Sequence, residues 1–287
     1  MPTGTVKTPP DFEALSHSEP NVQAKVLGVL LGDDYRSRFL PRFLARAGLD
    51  ISTNWASNDS QAVFFTRPLR AYLRELTAAV ENAELAQTEI NSFLGLPPAF
   101  KLRRNTNGKL THPRGWHSKF ILQMLDDNRD VLTGTDRNLV ESKLWLMEEV
   151  ANTEVDLILQ ADSTIIFCEV KWLSDFGGPS KKPALKEYDL TQMARQFLSG
   201  LYLEQTANCT VHHLTLTREF DGQRRQSMPA ERLERLVPVV AASFTVYHTT
   251  WQDVYKVAEE CLPAEHSLLA YMRTKRAHRG EQTIPLW

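Results

Sequence analysis

Only three cysteines occur in the 287 residues, Cys168, Cys209 and Cys261. They are too few and too widely spaced for a disulfide framework or a zinc cluster, and their odd number fits a reducing, cytoplasmic compartment. No apolar run approaches the roughly 20 residues that a bilayer-spanning helix needs, so no membrane association is expected. The first residues, MPTGTVKTPPDFEALSHSEP, hold no apolar signal core, which argues against secretion. Neither sign of charge dominates. The 33 Lys and Arg against 35 Asp and Glu leave a formal net charge of −2, which excludes a strongly basic, nonspecific nucleic-acid coat but permits a local binding surface. Internal repeats, a P-loop, a G-x-G-x-x-G turn and a G-x-S-x-G elbow are all missing. With 42% hydrophobic residues, the composition is that of an ordinary globular chain, long enough for one large domain or two smaller ones.

Three regions follow from the patterning. Residues 1–20, rich in Pro, Thr and Ser, read as a flexible lead. Residues 21–134 read as a helical N-terminal region with a basic loop. Its last long segment, RPLRAYLRELTAAVENAELAQTEINSFLGL, spaces Leu69, Leu73, Leu76 and Val80 as one helix face, and two prolines then stop it. The basic loop, KLRRNTNGKLTHPRGWHSK, gathers Lys101, Arg103, Arg104, Lys109, Arg114 and Lys119 with no acidic residue among them. Trp116, His112 and His117 are interleaved. Such a segment suits a phosphate backbone, with Trp116 stacking on or wedging between bases. The plainer alternative is a solvated loop whose Trp packs on the core.

Residues 135–287 read as an α/β core with a mixed sheet flanked by helices. Thr135 and Asp136 suit the cap of a helix over 138–150. A second helix is expected over 188–203, strands over 209–217 and within 238–251, and a helix from Trp251. Between the first two helices lies EVDLILQADSTIIFCEVKWL, residues 154–173. Two apolar, β-prone runs flank a short polar turn, as in a hairpin. Strand side chains alternate, so Glu169 and Lys171 share one face and Cys168, Val170 and Trp172 the other. A buried sheet has little reason to hold a carboxylate beside an ammonium unless they are paired or hold a metal.

That pattern suits phosphodiester hydrolysis. Mg2+ (or Mn2+) is usually held by one or two carboxylates and keeps several waters. Asp156 and Glu169 are the natural ligands, with the carbonyl of Val170 as a third protein oxygen. Lys171 would orient or deprotonate the attacking water and oppose charge on the phosphorane. The bland alternative is a structural Glu169–Lys171 ion pair.

With Asp156, Glu169 and Lys171 in this order, the chain resembles the PD-(D/E)xK nuclease superfamily, whose fold is restriction-endonuclease-like. The naming proline is absent, since Val155 precedes the aspartate. The resemblance covers roughly residues 136–260. It implies a catalytic glutamate on the preceding helix, where Glu141 is preferred over Glu148 and Glu149. It also implies a glutamine-bearing helix after the Glu-x-Lys strand, where Gln192 is preferred over Gln196. Arg195 beside it would bind phosphate. The function so implied is a metal-dependent nuclease acting on DNA, in defence, mobile-element or repair chemistry. A homodimer or a partner protein of a multi-component system would be candidate assemblies. The alternative is a non-catalytic nucleic-acid-binding or assembly protein on the same fold.

Overall fold

In the computed structural model, the residues described are 19–49, 55, 60–171, 178–188, 190–218, 222–241, 243–274, 276–279 and 282–285. The expected N-terminal lead up to residue 18 and Trp172 lie outside them. The helices are α1 Glu19–Leu30, α2 Arg36–Arg46, α3 Pro68–Leu76, α4 Ala83–Leu94, α5 Ser118–Asp127, α6 Arg137–Asn152, α7 Gln192–Thr206, α8 Trp251–Cys261 and α9 Ser267–Thr274. The strands are β1 Gln61–Thr66, β2 Val155–Ala161, β3 Thr164–Val170, β4 Thr210–Thr217, β5 Arg225–Pro229, β6 Ser243–Thr250, β7 Arg276–Arg279 and β8 Gln282–Pro285.

Six strands form one mixed sheet in the order β1-β2-β3-β4-β6-β5, and β7 pairs with β8 separately. The β2–β3 hairpin forms as its alternation predicts, with Ala161 opposite Thr164. Asp162 takes a left-handed φ of 50° in the turn, a conformation that Asp tolerates. β3, β4 and β6 run parallel, whereas β1 and β5 close the two edges antiparallel.

Alternation on the central strands buries two cores. Leu157, Leu159, Ile166, Cys168, Val170, Leu214 and Leu216 face a cluster built with α1, α2, α8 and α9. Ile158, Phe167, Phe244 and Val246 belong to the other cluster, with α3 to α7. Helices thus cover both faces of the sheet, which is what near-continuous apolar strands demand. Among the described residues no helix is long and apolar enough to cross a membrane.

Three expectations are corrected. The N-terminal region is not wholly helical: QAVFFT forms the edge strand β1 and pairs with β2 some hundred positions later. The boundary at 134/135 therefore divides neither the sheet nor the cores, since residues from both sides of it build each cluster. The long segment over 67–96 is two helices, with the first ending at Leu76 and Val80 left exposed. The second ends at Gly95, whose φ of 57° a side chain would strain, and where a Cβ would lie 2.5 Å from Pro238.

The helix starts obey their caps. The Asp136 side chain accepts from the amide of Asn138 at α6, and Thr191 from that of Ala194 at α7. At α8, Thr250 and Asp253 form a capping box, and Arg224 adds a bidentate pair to Asp253 at 2.8 and 3.1 Å.

Candidate active site

Hairpin register brings Asp156 and Glu169 together. β2 and β3 pair as far as Leu157 with Cys168, so Asp156 and Glu169 stand one step beyond, on neighbouring strands. There the ladder is replaced by a side chain: the amide of Val170 donates to Asp156 Oδ2 at 2.8 Å. Lys171 follows on β3's face, its own amide tied to the carbonyl of Leu216 at 2.8 Å. Its ammonium pairs with Glu169 Oε1 and lies 3.6 Å from Asp156 Oδ2. The three side chains predicted from the sequence therefore meet.

Their environments differ. Glu169 is 0% exposed, whereas Asp156 and Lys171 each keep 16% of the side chain accessible. Burial, and then the neighbouring Asp156 charge, push the Glu169 carboxyl up to about 7, against the opposing pull of Lys171 and Gln196. Among the described residues, two carboxylates share one ammonium here.

The helix glutamine that reaches this cluster is Gln196. Its Nε2 donates to Glu169 Oε2 at 2.5 Å and to the Glu154 carbonyl at 3.0 Å. The side chain is fully buried, one turn further along α7 than Gln192. Gln192 instead lines a cleft of about 220 Å³ with Glu148, Glu149, Glu154, Lys182 and Arg195. The two glutamines share a helix face at four-residue spacing, which could have suggested Gln196 but could not rank it.

Glu141 is not brought to the cluster; it accepts a long 3.4 Å bond from the indole of Trp145. Helix α6 delivers its C-terminal end to β2, and Glu141 lies 11 residues, or roughly 16 Å, before that end. The acidic residues at that end are Glu148, 3.3 Å from Lys182, and Glu149, 3.8 Å from Arg195. Burial raises Glu148 above the usual carboxylate range despite Lys182. Arg195 also donates to the Leu190 carbonyl at 2.9 Å, which holds its guanidinium near the start of α7.

The basic loop divides. Arg103 lies over the Phe120 ring and donates to Gln123 at 2.7 Å, while Arg104 pairs with Glu84 at 2.6 Å. Both line a cleft of about 680 Å³ with Lys101, Glu84 and Asp127, so its charge is mixed. Arg114 and Lys119 are exposed and Lys109 is half-buried. Trp116 is a correction. It is buried, with its indole N–H given to the Thr111 carbonyl at 3.0 Å, so it packs on the core and offers no face to a base. His112 is likewise engaged, against the Arg70 carbonyl at 3.2 Å.

Among the described residues, no group of three or more His, Cys, Asp or Glu side chains is placed to hold a metal ion. A hard divalent cation that keeps most of its waters needs only one or two carboxylates; Asp156 and Glu169 are the adjoining pair here, Asp156 part-exposed and Glu169 buried with both oxygens engaged. Comparison with protein-family models, with curated proteins and with solved structures finds no match.

Proposed function

We propose that the protein is a metal-dependent nuclease that hydrolyses phosphodiester bonds in DNA, built on a restriction-endonuclease-like core. One observation carries this reading: Asp156, Glu169 and Lys171 meet on one face of the β2–β3 hairpin, with Glu169 buried and held by Gln196. An isolated structural ion pair requires only one carboxylate per ammonium. A second one beside it adds to the burial that already lifts Glu169 towards neutral pH, a cost larger than the single bond from the Val170 amide to Asp156 would justify.

In this reading Asp156, Glu169 and the Val170 carbonyl hold Mg2+ or Mn2+, which when bound lowers the pKa of water and neutralises phosphate charge. Lys171 orients the attacking water from the same face and opposes charge on the phosphorane. Gln196 keeps the Glu169 carboxylate in one orientation. Arg195, beside the cleft over α6 and α7, takes a phosphate of the strand. Exposed Arg114 and Lys119 are the members of the basic loop best placed to meet a backbone.

The test is incubation of purified protein with supercoiled plasmid and with single-stranded DNA, with Mg2+ or Mn2+, beside Lys171→Ala and Asp156→Ala. Metal-dependent cutting that both variants lose is the expected result. Cutting that both variants retain would remove this site from the reaction. Binding without cutting by any protein would favour a nucleic-acid-binding or assembly role on the same fold.

A further inference from the structure

Edge strand β1 carries an outlier beside the catalytic cluster. β1 pairs with β2 through Phe64 opposite Leu157 and Thr66 opposite Val155, so the position between them sets Phe65 opposite Asp156. Phe65 has a left-handed φ of 50°, a region that a bulky residue rarely adopts. It is also 37% exposed, one of the few large apolar side chains left in water, with Val63 two residues before it. Its ring lies 6.2 Å from that of Phe64, at the rim of the sheet.

The conformation is held from both sides. Ladder pairs flank Phe65, and two residues on, Arg67 bonds the Asn152 carbonyl at 3.0 Å and pairs with Glu154 at 3.0 Å. Strain that is clamped this way marks a residue whose position is used. Core packing does not bury it, because the ring is part-exposed; the core built with α1, α2, α8 and α9 already takes Phe64 from the same strand. What remains is a part-exposed aromatic ring on the edge strand, level along the sheet with Asp156. A strand whose phosphate reaches Asp156 and Lys171 presents a planar partner for that ring, the adjoining base.

We propose that Phe65 is a substrate-positioning residue: it stacks on an unpaired nucleobase next to the phosphate bound at Asp156, Glu169 and Lys171. This rests on the nuclease reading. Stacking is sequence-tolerant, since every base has a π-face. Phe65 would thus hold the strand in register without selecting a sequence.

The experiment measures binding of fluorescein-labelled DNA, single-stranded and duplex, with Ca2+ in place of Mg2+ so that the carboxylates keep a divalent cation, and a gel of the recovered strands checks that they are uncut. The same strands carrying 2-aminopurine report stacking by quenching. Phe65→Leu should weaken single-strand binding by about 5- to 100-fold and abolish the quenching, while Phe65→Trp restores both. Thermal melts of both variants establish that they are folded. Equal affinity and equal quenching in wild type and Phe65→Leu would overturn the proposal and leave the nuclease reading standing. Failure of wild type to bind or cut any DNA would overturn both. Unchanged DNA binding with a dimer that Phe65→Leu dissociates would also overturn it and make this edge a self-association surface.

Discussion

Gln196 donates to Glu169 across 2.5 Å, from the second turn of α7 to the buried end of β3. The same amide reaches the Glu154 carbonyl at 3.0 Å, so one side chain locks both strands of the hairpin beneath the helix. Gln196→Ala leaves the buried Glu169 Oε2 and the part-buried Glu154 carbonyl short of a donor. We expect a loss of about 1–3 kcal/mol in stability and a fall in kcat of at least tenfold with KM little changed. Gln192→Ala should do less to both. Urea denaturation and plasmid-nicking kinetics on the two variants decide it; equal effects would deny Gln196 its positioning role.

Lys171 is the only side-chain cation paired with Glu169 among the described residues. Lys171→Ala should cut the rate by about 100-fold or more. It should also destabilise the protein by roughly 3 kcal/mol at pH 8, where the two carboxylates would lose their counter-charge. The stability loss should shrink at pH 5, where Glu169 takes up a proton. Urea midpoints at the two pH values test the difference.

Glu169 itself gives a signed pH dependence. Its carboxyl is raised from 4.5 to about 7, chiefly by burial and then by Asp156. The folded protein therefore binds this proton more tightly than the unfolded chain. The stabilisation is full below about pH 4.5 and is lost as pH rises through 7. Glu169→Gln lacks that loss, so between pH 5 and pH 8 the variant should gain about 1–3 kcal/mol on the wild type. Parallel stability curves would mean that Glu169 does not titrate in this window.

Cation binding should oppose the same loss. At pH 8, millimolar Mg2+ should raise the melting temperature of the wild type by about 2–5 °C. Asp156→Asn should abolish the rise, and lowering the pH to 5.5 should reduce it. A Mg2+ shift retained in Asp156→Asn would place the ion elsewhere.

Asp253 serves as a structural control. It caps α8 with Thr250 and takes two bonds from Arg224. Asp253→Ala should cost about 2 kcal/mol in urea denaturation and leave the cleavage rate of the remaining folded protein unchanged.

Much of the site was legible because its determinants are local. Period-two alternation in TIIFCEVK put Glu169 and Lys171 on one face, and the turn Asp162–Ser163 set the register that brings Asp156 beside them. The cap of α6 was legible for the same reason, since a cap acts within one turn. The basic loop misled over Trp116, because composition records charge and aromaticity but not which side chain turns inward.

By itself, then, the sequence determined the hairpin, the shared face of the Glu-x-Lys pair and the starts of α6 and α8, all of which depend on contacts a few residues apart. Tertiary structure alone decided the rest. It made QAVFFT a strand by pairing it with β2 across some hundred residues, and so set Phe65 beside Asp156. It chose Gln196 over Gln192, because the placement of α7 over β3 decides which turn of a helix face meets the sheet. It kept Glu141 distant by delivering the other end of α6. It also lifted Glu169 towards neutral pH, since the cost of a charge depends on the water removed from around it, and only packing removes that water.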